Sequence, residues 1–435
     1  MPTPLASPRG LRARACAGFL AHAAVLGMAA PLAAQDALAP GFEETQSQPL
    51  PAAFASYHTL SNGDRVTFDG LSIDLYDGDN NFIRHLGSVP SFVFSSFVEA
   101  DPSETFALVG ESSYGDVFKV QLDGSGMTTL CNLPFNYDAV FASANRALIS
   151  AATCGFCGFN DIVRVNTSTG AQVLEATVPG ASGPVAITPE GDIYYATVSD
   201  QFPAPPGSTD IVYWTRAQLS GAGVLGLGDA TVFHAGLDGA ASLARDPEFG
   251  SFFLAESVFN VSNRVLELDP AGNLVEAVVT SPDFLSNLEL RRGAGPGHFH
   301  HFQPADGVFL HYNNGQIVTV RPRRPLGEIQ ANGPVVTFRV SDALPNSAML
   351  VLWGSQASWD PNESSYGLFG GFLFHTGLPL SEIRRMPFLT PIDADGVGEF
   401  SYYDPGHLGG TLVFQGLMLD GGGTVPIASS SAAPN

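Results

Sequence analysis

The chain has 435 residues, with 42 acidic against 19 basic side chains and a formal charge of −23, which argues against nucleic acid or an anionic membrane as partner. With 48 glycines, 32 prolines and 10% aromatics, the composition favours short strands and turns over helices. The length exceeds that of one typical domain, so one large and one smaller domain are expected.

The first 34 residues carry Arg9, Arg12 and Arg14, then a small, mostly apolar run from Ala15 to Ala34, with no carboxylate before Asp36. This is the pattern of a cleaved signal peptide, with Leu32-Ala33-Ala34 leaving small residues ahead of a cut before Gln35. It predicts export to the periplasm, the cell surface or the medium. The apolar run is too short to span a bilayer, and no later segment reaches membrane length. Cys16 leaves with the peptide.

Beyond it, short apolar strands recur in pairs. Val66 to Phe68, Ile73 to Tyr76 and Phe82 to Leu86 read as a divergent first unit. Phe106 to Gly110, Ala147 to Ala151, Ile193 to Ala196, Phe252 to Ala255 and Val308 to His311 each precede a variable loop and a second strand. Those second strands, Asp116 to Val120, Asp161 to Val165, Asp210 to Trp214, Arg264 to Leu268 and Gln316 to Val320, begin at intervals of 45, 49, 54 and 52 residues. Turn-rich segments such as Asp123-Gly124-Ser125-Gly126 and Asp269-Pro270-Ala271-Gly272-Asn273 follow. Four strands in such a period make one propeller blade. The reading is a β-propeller of about six blades over residues 50–322, with seven as the alternative. The segment Gln201 to Ser208 is an inserted loop of the kind that carries recognition.

Arg321-Pro322-Arg323-Arg324-Pro325 reads as a linker. After it the period stops. Val335 to Val340, Ala348 to Trp353, Leu368 to Phe374, Gly398 to Tyr403 and Leu412 to Leu419 suit a small antiparallel β-sandwich over residues 325–425, leaving 426–435 as a loose tail. Within this region, Pro391-Ile392-Asp393-Ala394-Asp395-Gly396-Val397-Gly398-Glu399-Phe400 followed by Gly409-Gly410-Thr411-Leu412-Val413-Phe414-Gln415-Gly416 resembles the C-terminal module of exported proteins from planctomycete-type and myxobacterial-type bacteria. The family's usual closing Ser-Asn-Ala is replaced by Ala428-Ser429-Ser430. The resemblance implies export and a β-sandwich, and no activity.

Cys131, Cys154 and Cys157 remain after cleavage, which in an exported chain predicts one disulfide and one leftover thiol. Cys154-Gly155-Phe156-Cys157 has redox or metal spacing but lacks the strand-to-helix context of a thioredoxin site and a second pair.

Three places can carry chemistry. In Gly297-His298-Phe299-His300-His301-Phe302, strand geometry would set His298 and His300 on one face about 7 Å apart, a start for a transition-metal site with His311 near by. Glu111 and Glu256 occupy the same position in two blades and, with Asn136-Tyr137-Asp138, can form a calcium site of the kind lactonase-type propellers hold at the channel mouth. Their recurrence also fits turn chemistry belonging to the repeat itself. Asp77-Gly78-Asp79-Asn80-Asn81 and Asp393-Ala394-Asp395-Gly396 resemble fragments of calcium loops but read more simply as turns. The leading expectation is a non-enzymatic binding or scaffold protein whose propeller loops meet a polymer, glycan or protein. The alternative is a metal-dependent hydrolase, lactonase or lyase acting in the channel.

Overall fold

The computed structural model describes residues 37–432 apart from short breaks, the longest at 292–306, 358–364, 404–411 and 420–425. The proposed export segment lies outside the described residues.

The second strand of a blade shows why these sequences become a propeller. In Phe106–Glu111 every residue is buried. Ala107 and Val109 enter the apolar cluster shared with the preceding blade, while Phe106 and Leu108 enter the one shared with the next. A strand packed on both faces must be apolar on both, so it reads as a continuous run. The neighbouring strand Asp116–Gln121 continues the division, Phe118 and Val120 facing one cluster and Val117 the other.

Six antiparallel sheets of this kind follow one another: blade 1 (56–88), blade 2 (95–132), blade 3 (136–179), blade 4 (185–237), blade 5 (242–281) and blade 6 (285–322). The architecture is therefore all-β, a six-bladed propeller followed by a β-sandwich. The first, inner strands are Ser56–Thr59, Ser95–Ala100, Asn136–Ser143, Val185–Ile187, Ser242–Arg245 and Leu285–Arg291. The strand pairs read from sequence are thus the second and third strands of each blade, and the inner strand precedes them.

Blade 6 draws only three strands from its own stretch. Its outer strand is Phe42–Pro49, paired antiparallel from Phe42 opposite Pro322 to Pro49 opposite Gln316. The ring is closed by the segment just after the proposed cleavage point, and Ala37–Leu38 adds a fifth strand to the edge of blade 5. The propeller accordingly begins before residue 50, and Arg321 and Pro322, expected in a linker, end its last strand.

The C-terminal region packs a sheet of Leu326–Asn332, Val335–Ser341 and Gly398–Tyr403 against one of Arg384–Pro391, Ala348–Ser355, Leu412–Leu419 and Pro426–Ala432. Phe338, Met349, Val351, Phe400 and Phe414 fill the space between. Leu368 to Phe374, expected as one strand, is part of a hairpin of Ser365–Phe369 and Phe372–Thr376. Pro426–Ala432, expected as tail, pairs with Leu412–Leu419. Among the described residues no helix is long and apolar enough to cross a membrane.

Candidate functional site

An antiparallel meander sends its strand 2-to-3 loops and its blade-to-blade connections to one end of the ring, here called the loop end, and its 1-to-2 turns to the other. Glu111 and Glu256 both end second strands at the loop end, in blades 2 and 5, which lie opposite each other in a ring of six. Each is buried, and each is engaged by groups of the loop end. Glu111 accepts hydrogen bonds from the backbone amides of Ser113, Tyr114 and Asp116 at 2.7–3.0 Å. Glu256 accepts from the Asp238 amide at 2.9 Å and forms an ion pair with Arg264. Glu111 caps the amides of its own loop, and Glu256 braces the connection into blade 5 and Arg264 of the third strand, so both carboxylates are used in holding the loop end together.

Asp77 and Asp393 are likewise taken up by amides of their own turns. Asp77 Oδ1 accepts from the amides of Asp79 and Asn81, and Asp393 Oδ1 from those of Asp395 and Val397. His311 belongs to the second strand of blade 6, opposite Asn287 and Ile317. His298, His300 and His301 lie outside the described residues. Among the described residues no three His, Cys, Asp or Glu side chains are arranged to hold a metal ion. Cys131 is a free thiol on the outer strand of blade 2, pushed up to about 11 by burial with the Asp116 charge adding to it. Cys154 is disulfide-bonded. Cys157 lies outside the described residues.

The channel is tied across by its own side chains. Tyr137 of blade 3 donates to the Ala241 carbonyl at 2.7 Å, reaching past blade 4 to the connection that enters blade 5. Asp138 accepts from the Val185 amide at 2.9 Å, linking blade 3 to blade 4. The hydroxyls of Ser56 and Ser95 meet at 2.7 Å between blades 1 and 2, and Ser242 donates to Asn287 at 2.7 Å between blades 5 and 6. Burial lifts the Asp138 carboxyl to about 7, the Glu99 charge adding to the rise while the Val185 and Ala139 amides oppose it.

Towards the opposite end, His58 of blade 1 places Nδ1 3.1 Å from Glu99 Oε2 of blade 2 and 3.0 Å from Glu289 Oε1 of blade 6. Glu289 also accepts from the Thr59 amide at 3.0 Å. A cavity of about 260 Å³ adjoins this group, lined by His58, Glu99, Asp101, Glu104, Val140 and Phe141 among others. Asp101 and Glu104 already accept from the residues of their own and neighbouring turns. Little in the sequence marks this group, because blade 1 is legible there only from its second strand onward.

The outer surface of the loop end is different. Phe92, Phe94, Tyr114, Phe135 and Phe159 are all exposed there, Tyr114 at 70% and Phe92 at 58%; the first four belong to the connections and loops of blades 1 to 3, and Phe159 opens the third strand of blade 3. The segments that carry the first four adjoin one another. The Phe92 and Phe94 rings meet edge to face at 5.8 Å. Phe92 lies over Gly70, where a Cβ would stand 2.9 Å from the ring and 2.4 Å from the Val93 carbonyl, at φ +93°. Phe94 exchanges hydrogen bonds with the Tyr114 loop, accepting from the Ser112 amide and donating to Ser113 Oγ. That loop abuts Leu133 and Pro134 through Gly115, and the Phe135 ring lies against Gly155. Phe135 has φ +50°, a left-handed conformation that a bulky side chain rarely adopts.

No family model and no curated protein matches the chain. Solved structures with partial likeness include a calcium-binding protein, regucalcin, from Agrobacterium tumefaciens, at 12% identity over 64% of this chain and 93% of that one, with a TM-score of 0.43. A carbohydrate-active enzyme of family AA12 from Trichoderma reesei is 11% identical over 66% and 97%, with a TM-score of 0.45. Hydrazine synthase from Kuenenia stuttgartiensis is 10% identical over 67% and 78%, with a TM-score of 0.44. Overlaps this loose carry no argument about activity, and the propeller rests on its own six sheets.

Proposed function

We propose that this is an exported binding protein that holds a neutral glycan chain across the loop end of its propeller. The observation that carries the reading is the exposed strip of Phe92, Phe94, Tyr114, Phe135 and Phe159 over three consecutive blades. Aromatic faces presented on a rigid frame stack on the C–H faces of sugar rings, and little rotamer freedom is lost when such platforms bind. Serine and asparagine side chains beside the rings, Ser112, Ser113 and Asn132 among them, are of the polar kind that pairs with sugar hydroxyls. The strip contains no lysine or arginine, and the chain carries a charge of −23, so a polyanionic glycan would be repelled.

The carboxylates that a metal-dependent enzyme would use at the loop end are engaged elsewhere, Glu111 by three amides and Glu256 by Arg264. Export follows from the proposed signal segment, and the sandwich serves as an accessory or attachment module. The experiment is electrophoresis in native gels containing soluble neutral polysaccharides, with a polyanionic one as control. Retardation by a neutral chain that is lost in Phe92→Ala/Tyr114→Ala supports the reading. Equal mobility in every gel, or retardation that survives both substitutions, refutes it.

A further inference from the structure

Between blades 1 and 2 the buried apolar cluster runs from Leu60 through Phe68 and Val109 to Leu122, and clusters of similar kind join 2 to 3, 3 to 4, 4 to 5 and 5 to 6. At the closing seam between blades 6 and 1, the buried members among the described residues are Leu50, Ala55, Tyr57 and Ile317. Polar contacts crowd the same seam. Arg65 donates to Gln48 of the closing strand at 2.9 Å, Gln48 donates to the Gly78 carbonyl, and Asn80 donates to the Pro49 carbonyl. Deeper in, His58 and the Thr59 amide both hold Glu289.

We propose that His58 is a pH-operated latch on this seam, tying blades 6, 1 and 2 together when protonated and loosening the ring at its closing joint when neutral. The geometry fixes the sign. The single Nδ1–H lies between two carboxylate oxygens, and protonating the ring adds no second donor there but a positive charge that both carboxylates attract, so opposite charges at this range favour the imidazolium. Loss of the proton leaves Glu99 and Glu289 with less cation between them. The other groups that face this centre act in known directions. Arg65, on the second strand of blade 1, interacts favourably with Glu289 and remains charged, so it moderates the release. Asp138 on blade 3 is raised first by burial and then by the Glu99 charge. Asp101 and Glu104 line the same cavity and add negative charge, which also favours the imidazolium. Tyr57 is buried and pushed above its usual range by burial and by Glu289, so it is neutral throughout. The tie that joins blades 6, 1 and 2 through His58 therefore depends on a proton.

The test is amide hydrogen exchange on the intact protein, read by mass spectrometry at about pH 5.5 and about pH 8.5, either side of the ordinary histidine range, and corrected for the intrinsic pH dependence of exchange. Segments 42–59 and 285–291 are expected to lose about tenfold protection at the higher pH, one pKa unit of coupling being a factor of ten, while segment 146–166 of blade 3 holds its protection. His58→Gln is expected to abolish this difference. Seam protection equal at both pH values, or a wild-type pH response in His58→Gln, overturns the proposal. Should His58→Gln fail to fold, Glu99→Gln replaces it: removing one carboxylate is expected to lower the pH midpoint of seam loosening by about one unit. An unchanged midpoint overturns the latch.

Discussion

Replacing Asp138 by asparagine should change the sign of its effect on stability as pH rises. The folded carboxyl titrates at about 7 against an ordinary 3.8, raised first by burial and then by Glu99. Because the folded state holds the proton more tightly, stability is full below the unfolded value and is lost as pH climbs towards 7. At 1.36 kcal/mol per unit this interval has a ceiling of about 4 kcal/mol, and the effective dielectric of protein interiors brings the expected loss nearer 2 kcal/mol. The asparagine side chain cannot ionise, but it has one acceptor oxygen where Asp138 uses Oδ1 for the Ala139 amide and Oδ2 for the Val185 amide, so one amide loses its partner at a cost of about 1 kcal/mol at any pH. The variant should therefore be less stable than wild type by about 1 kcal/mol near pH 4.5 and more stable by a similar amount near pH 8. Parallel urea titrations at the two pH values measure this, and comparing the variant with wild type cancels other titrating groups. A deficit of equal size at both pH values refutes the reasoning.

Glu111→Ala strips three amides of their acceptor and should cost about 3 kcal/mol, with Glu111→Gln costing about half, and millimolar calcium should leave the wild-type melting temperature unmoved. A stabilising response to calcium that disappears in Glu111→Gln would return this residue to metal binding. Deleting residues 37–49 bares the outer edges of blades 5 and 6, so the truncated chain should aggregate, and a synthetic peptide of those residues should restore a monomer on a sizing column. A truncated monomer that melts as the full chain does would show that the closing strand is dispensable. Thiol titration of the denatured chain beginning at Gln35 should count a single thiol before reduction and all three cysteines after it, with Cys131 slow to alkylate in the folded protein because its thiol is held near 11. Three free thiols before reduction would remove the disulfide.

What can be read along the chain follows burial. Second strands such as Phe106–Glu111 are enclosed on both faces and announce themselves as apolar runs, and third strands such as Asp116–Gln121 follow them across one loop. Outer strands are harder because Met127–Asn132 is half exposed and polar. Inner strands are harder still: Val185–Ile187 is three residues long, and Ser56–Thr59 precedes the point at which the repeat becomes recognisable. Ring closure by Phe42–Pro49 pairs segments from the two ends of the propeller, which no local pattern encodes. Glu111 and Glu256 stand out by recurrence, and the structure uses both in holding the loop end together. His58, Glu99 and Glu289 do not stand out, since three inner strands far apart in sequence bring them together. The aromatic strip is invisible for a similar reason. Phe92, Tyr114, Phe135 and Phe159 become neighbours only once connections and strand 2-to-3 loops are known to share one end.

Binding of a neutral glycan to this strip can be measured by calorimetric titration of the intact protein with neutral oligosaccharides of increasing length. Affinity should rise with length until the chain spans the three blades, and Phe92→Ala, Tyr114→Ala and Phe135→Ala should each weaken it roughly tenfold with the fold unchanged. Binding that is absent at every length, or that is indifferent to all three substitutions, would show that the strip is not a glycan site.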